Sequence, residues 1–174
     1  MRYVFILTFA LGFFSHSSVA AQAQSEIQSK ASKADSNSMA VQNAADVWVA
    51  AFNNLEWETF RNSFSDDATV FFPFVQVPRR ATGRAEVESL FKQFFDAARK
   101  RKSSPPYQNI DPKDAHIQML DKDAAIFTFH LPGDESFNRR TLVFQKQKGK
   151  WLIAHLHASV FVKPKAEQPE QSKP

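Results

Sequence analysis

The sequence contains no cysteine. Disulfides, a thiol nucleophile and thiolate metal ligands are therefore excluded, and so is lipid attachment at a cleavage-site cysteine. Excess charge of one sign is also scarce: 22 Lys and Arg against 18 Asp and Glu leave a formal +4 over 174 residues. A balance this mild predicts neither a nucleic-acid nor a membrane-surface partner. Long hydrophobic runs are missing as well, since the longest, from Tyr3 to Phe14, is too short to span a bilayer comfortably. No internal repeat is visible.

What is present suffices for one core. Hydrophobic residues make up 43% of the chain and 18 of them are Phe, which excludes disorder of the whole chain and fits one domain with a leader and tails. Residues 1–23 read as a secretory signal peptide. Arg2 supplies the basic n-region, the run to Phe14 the apolar h-region, and small residues around Ala20, Ala21 and Ala23 the cleavage sites. An exported protein, periplasmic or secreted, is expected.

Residues 24–38 are rich in Ser, Ala, Gln and Lys and read as a flexible linker. From Met39 onward Val41, Ala44, Ala45, Trp48 and Phe52 recur every three or four residues, one apolar stripe of a helix that Asn53-Asn54 ends. A short second helix, from Leu55 to Phe64, places Trp57, Phe60 and Phe64 on one face. Ser65-Asp66-Asp67 reads as a turn rather than a catalytic carboxylate pair, before a strand from Thr69 to Phe72. Thr82 is the expected N-cap of a third helix whose buried stripe is Val87, Leu90, Phe91, Phe94 and Ala98. Arg99 to Lys102 at its end complement the helix dipole.

After Pro105-Pro106 the period changes. Residues 115–120, 124–131, 139–147 and 151–162 read as four strands joined by turns, the last pair a hairpin across Lys148-Gly149. Helices first and hairpins afterwards imply an α+β domain over residues 39–162, with helices on one side of an antiparallel sheet. Residues 163–174 read as a disordered tail.

Three stretches carry a family likeness: Phe64-Ser65-Asp66-Asp67-Ala68-Thr69-Val70, Gly83 opening a helix, and the hairpin from Gly149 to Ser159. Together they resemble the nuclear transport factor 2-like superfamily, in its SnoaL-like branch, and the hairpin resembles the association domain of calcium/calmodulin-dependent protein kinase II. The resemblance implies a cone: three helices packed into a strongly curved antiparallel sheet, a pocket between them, and pairing of subunits across the outer face.

Ketosteroid isomerases of the superfamily share the Phe-x-Asp-Asp-Ala-Thr-Val run and carry a general-base Asp before the next proline and an oxyanion-holding Tyr in the first helix. The matching positions are Phe72 and Trp48. Phe72 cannot accept a proton and an indole is a poor substitute for a phenol, so the resemblance leans away from isomerase chemistry. The kinase domain holds carboxylates with arginines, and the matching positions are His130, Leu142 and Ala158. The expected pocket is thus apolar, walled by Trp48, Phe72, Val87, Leu142 and Ala158 with His130 as its polar feature, and poor at binding small anions.

His155 and His157, two apart on a strand, project from one face. Zinc would need a third ligand and none is visible, so no metal and no cofactor is expected. With Trp151 and Ile153 counted on the same face, the four residues read as a homodimer interface. The resulting expectation is a dimeric binding or interaction module for a small apolar or amphipathic molecule. A small isomerase, lyase or hydrolase using His130, with Tyr107 or Thr128, is the alternative.

Overall fold

The computed structural model describes residues 17–163. Most of the expected signal peptide, and the expected tail apart from Lys163, lie outside the described residues. The chain divides into two units, residues 1–35 and 36–174.

In the first unit the described residues are helical, part of α1 (Ser17–Asn54). This corrects the flexible-linker expectation for residues 24–38. The stretch lacks an apolar stripe, but Ala, Gln, Lys and Glu are strong helix formers and neither Gly nor Pro interrupts α1. Its described side chains up to Ser36 are exposed.

In the second unit ordered packing begins at Asn37, two residues before the expected boundary. Asn37 is buried; its Nδ2 donates to the carbonyl of Lys122 at 3.1 Å and its Oδ1 accepts from Lys146 Nζ at 3.2 Å. Val41, Ala45, Trp48 and Phe52 then bury the expected stripe. Leu55, with a positive φ of 54°, stops the helix. Glu56 N–H donates back to Ala51 O at 2.8 Å, which satisfies a carbonyl of the last turn.

α2 is shorter than expected (Trp57–Arg61), and β1 (Phe64–Phe71) begins sooner. Asp66 and Asp67 therefore lie in a strand, not a turn, at an irregularity where the register shifts between Phe64 and Thr69. After β2 (Ala81–Thr82) comes α3 (Arg84–Arg101). Gly83, not Thr82, is its N-cap, with a φ of 82° that a side chain would strain. The Thr82 N–H instead donates to the Glu86 carboxylate at 2.8 Å. α3 buries Val87, Phe91, Phe95 and Ala98, so Phe95 joins the stripe, while Leu90 and Phe94 are half-buried.

The remaining strands are β3 (Lys113–Met119), β4 (Ala124–Pro132), β5 (Ser136–Gln147) and β6 (Lys150–Val162). They complete a six-stranded sheet in the order β2-β1-β6-β5-β4-β3. The sheet is curved and unclosed, with the helices packed on it. It is mixed rather than purely antiparallel, because β1 runs parallel to β6. Lys148 and Gly149, at φ of 50° and 81°, make the tight β5–β6 turn. Lys163 N–H donates to Glu135 O at 3.0 Å and its Nζ to Gly133 O at 2.8 Å. The ordered domain therefore ends at least one residue later than expected.

One break in alternation decides which face of β6 carries what. Val143 pairs with His155, but Phe144 pairs with Ile153, so Ala154 is the extra residue of a β-bulge. Before the bulge Trp151 and Ile153 point to the core; after it Leu156 and Ala158 do. His155 and His157 face the other side. The expected grouping of Trp151 and Ile153 with the histidines on one outer face is therefore corrected: Ile153 is fully buried and Trp151 nearly so.

Candidate functional site

The inner face of the sheet is closed at one end and open at the other. Phe60 fills the closed end, with ring centroids 4.7 Å from Phe91, 4.9 Å from Phe95 and 5.3 Å from Phe64. At the open end lies a cavity of about 250 Å³. Trp48 and Phe52 of α1 and Phe91 and Phe94 of α3 form one wall, and Leu156 and Ala158 of β6 another.

The loop after β1 closes over one side with Phe72, Pro73 and Phe74. Four phenyl rings stack in series there: Phe52 on Phe94 (5.4 Å, 17°), Phe94 on Phe74 (6.0 Å, 20°) and Phe74 on Phe72 (5.9 Å, 19°). Phe72, Phe74 and Phe94 also line a second hollow of about 280 Å³, so these rings form a partition between the two.

Gln108 and Ile110 reach the cavity from the segment before β3. Asn53, read from sequence only as a helix breaker, holds that segment. Its Nδ2 donates to Ile110 O at 2.9 Å, its Oδ1 accepts from Ile110 N–H at 2.7 Å, and its carbonyl accepts from Tyr107 and Gln108 N–H at 2.7 and 3.0 Å.

The polar residues lining the cavity are Arg140 and Asn138, neighbours on one face of β5, and Gln108. β5 places Arg140 there by simple alternation. Arg140 pairs with Phe129 and Ala158, and Leu142, the next residue on that face, pairs with Phe127 and Leu156. Leu142 and Phe144 are buried core, and counting back by twos gives Arg140 and Asn138 on the same side. Strand alternation in the sequence thus points to Arg140, one inward-facing step from Leu142, the position that likeness to the kinase hairpin selects.

Among the described residues Arg140 is the one formally charged residue on the cavity wall. Burial pushes its guanidinium below the ordinary value, the direction expected when a cation loses water without an anion in return. Its Nη1 donates to the carbonyls of Arg139 at 2.9 Å and Ser159 at 3.4 Å. Among the described residues no carboxylate pairs with it, and Nε and Nη2 donate to no protein acceptor. The indole Nε1 of Trp48, buried in the wall, likewise has no acceptor among them.

Of the residues expected to form the pocket, Trp48, Phe72 and Ala158 line the cavity, whereas Val87 and Leu142 lie in the packed core and do not reach it. His130 is not its polar feature. On β4, Phe127 and Phe129 are buried inward, so His130 points outward by parity. There its Nδ1 lies 3.4 Å from Asp114 Oδ2 and its ring 4.7 Å from Phe137. The carboxylate partner exists, but on the wrong side of the sheet for a ligand in the cavity. Tyr107 and Thr128 do not line the cavity either.

The outer face carries the remaining histidines. Thr69 Oγ1 and His155 Nδ1 share a hydrogen bond of 2.8 Å, and Phe71 lies 5.9 Å from His155 and 5.6 Å from His157. Desolvation, then the neighbouring charges of His157 and Arg80, hold His155 below its ordinary pKa. Among the described residues no group of three potential ligands could hold a metal ion.

Residues 41–163 match the family described as the SnoaL-like domain. No curated protein matches the chain. Among solved structures it resembles a candidate dehydratase of the nuclear transport factor 2-like family from Streptomyces avermitilis, at 17% identity and a TM-score of 0.60, over 74% of this chain and 99% of that one. It also resembles a candidate ketosteroid isomerase from Shewanella frigidimarina, at 22% and 0.55, over 69% and 94%. A candidate calcium/calmodulin-dependent protein kinase II association domain from Xanthomonas campestris aligns at 22% and 0.50, over 72% and 87%. Identities this low speak for the fold alone. With the family match running from within α1 through the curved sheet and the cavity-lining residues, the chain belongs to the family described as the SnoaL-like domain, and its fold is that of nuclear transport factor 2-like proteins.

Proposed function

We propose that this SnoaL-like protein is an exported binding module that holds a small amphipathic molecule in the cavity on the inner face of its sheet. The observation that carries this reading is an aromatic-walled space whose polar lining residues, among those described, are few: Arg140, Asn138 and Gln108, with the Trp48 indole in the wall. Burial of apolar ligand surface, at roughly 25 cal/mol per Å² before the costs of association, supplies the driving force, and the polar residues fix orientation. Binding is favoured over proton-transfer chemistry because, among the described residues, no Asp, Glu, His, Lys or Tyr lines the cavity. The likeness to candidate dehydratase and isomerase structures does not supply the missing acid or base.

Export rests on the leader sequence, and mass spectrometry of native material should find an N-terminus between Ala21 and Gln24. The proposed pairing of two copies across the outer face now rests on Phe71, Val143, His155 and His157, without Trp151 and Ile153. Light scattering that finds the mature protein monomeric at high concentration would remove that part.

The test of the binding reading is a thermal-shift screen of small amphipathic molecules against the mature protein and Ala158→Leu. Stabilisation of the first and not the second supports occupation of this cavity. Equal stabilisation of both places the ligand elsewhere.

A further inference from the structure

Resting on that reading, the geometry points to a small aromatic monocarboxylate as the ligand class, its carboxylate held by Arg140 and its ring laid against the phenylalanine wall. Three observations converge on this class.

The first is charge. A guanidinium stays protonated in proteins, so a half-buried one facing an apolar cavity carries a desolvation cost that an anion offsets. Nη1 is committed to two backbone carbonyls. Nε and Nη2, which lack protein acceptors among the described residues, are two donors in the planar fork that a carboxylate accepts bidentately. With Arg140 as the one cation lining the cavity among the described residues, and Asn138 and Gln108 neutral, a second carboxylate on the ligand would be buried against aromatic rings without a counter-charge. Dicarboxylates are therefore disfavoured.

The second is shape. Phe52, Phe94, Phe74 and Phe72 present rings within 20° of parallel at each step of the stack. A flat ligand ring can continue such a stack or meet it edge-on, geometries that aromatic pairs prefer. The third is size. A cavity of about 250 Å³ falls below the range of about 300–1,000 Å³ that holds drug-sized ligands, so one ring with a short acid arm fits better than a fused-ring steroid.

The expectation that small anions bind poorly is replaced on these grounds: it assumed His130 as the polar feature, whereas Arg140 lines the cavity. The position also explains why Ala158 faces Arg140 across β5 and β6. A larger side chain there would fill the space in front of the guanidinium.

Calorimetric titration of the mature protein with benzoate, phenylacetate, benzamide and succinate tests the proposal. Benzoate or phenylacetate should bind at least tenfold more tightly than benzamide, the neutral isostere, and succinate should bind more weakly than either aromatic acid. Arg140→Met should abolish the preference for acid over amide, and Arg139→Met, at the exposed neighbour, should leave that preference unchanged. Equal affinity for benzoate and benzamide, or a preference for succinate, overturns the proposal while leaving the binding module in place. Failure of all four to bind, with other amphipathic molecules still stabilising the protein, overturns the ligand class; failure of every small molecule overturns the binding reading too. The comparison of acid with amide needs only the unmutated protein, so the proposal stays testable should Arg140→Met not fold.

Discussion

Around Phe60 the phenylalanines close on one another; around Phe94 they leave a space. Both groups lie on the same inner face, and Phe52 and Phe91 belong to both. In the closed group Phe60, Phe64 and Phe95 are each 1% exposed and meet mostly tilted or edge to face. In the open group the rings stack nearly parallel and Phe74 is 39% exposed.

The strands behind them account for the difference. The fully buried Leu142 pairs with Leu156 at the inner edge of the cavity, and one inward step along, Arg140 pairs with Ala158. Exchanging two leucines for one small residue and one that cannot shed its charge prevents closure and leaves a lined space with a cation at its rim. Aromatic content alone does not make a pocket; the residues opposite decide whether the rings pack on protein or wait for a ligand.

The largest effect should come from Ile153→Asp. Because the Ala154 bulge turns Ile153 into the core, an unpaired carboxylate there should cost several kcal/mol, on the scale of about 3–5 kcal/mol for an uncompensated buried charge. Circular dichroism should show loss of folding, not a folded monomer; a folded monomer would restore the outer-face assignment.

Phe60→Ala comes next, at about 3–5 kcal/mol by denaturant unfolding, as for other fully buried Phe truncations. Phe94→Ala is the matched comparison. Half-buried beside the cavity, it should cost about 1 kcal/mol, within the ordinary range for single substitutions. Similar losses at both positions would contradict the distinction between closed and open groups.

Ala158→Leu should leave stability within about 1 kcal/mol of the unmutated protein, since it adds methyl groups to existing space. It should nonetheless weaken benzoate binding at least tenfold by occupying that space.

The smallest effect concerns the outer face. His155 titrates below its ordinary value of about 6.5 when folded. The unfolded chain therefore binds the proton more readily, and the contribution is complete above about pH 6.5 and is lost as the pH falls towards the folded value. His155→Gln should flatten that part of the stability profile. A profile already flat between pH 7 and 5 in the unmutated protein would contradict the shift.

The sequence was legible where regular periodicity and local turn chemistry act. The Val41, Ala45, Trp48, Phe52 stripe and the Lys148-Gly149 hairpin are found where those rules put them. It was misread where one irregular residue resets the count: Ala154 flips the face of Trp151 and Ile153, and the irregularity in β1 draws Asp66 and Asp67 into a strand. The parallel contact of β1 with β6 is a long-range pairing that no local pattern encodes. The stripe from Val41 to Phe52 marks a helix from Met39 to the Asn53-Asn54 break, whereas the polar part of α1 before it carries no stripe and reads as linker.

The cavity was legible in part. Trp48, Phe72 and Ala158 were placed by likeness to other members of the fold, and all three line it. Likeness to the kinase hairpin selects His130 as the polar feature, whereas strand parity on β4 and β5 selects Arg140. Outward parity on β4 is plain once Phe127 and Phe129 are taken as core, and inward parity on β5 once Leu142 and Phe144 are.

The most direct test of the central claim is to follow the side-chain Nε–Hε resonance of Arg140 by nuclear magnetic resonance while benzoate is added to the mature protein. The account predicts a saturable shift of that resonance, absent with benzamide and not mirrored at Arg139. An Arg140 resonance that stays in place while benzoate binds would contradict it.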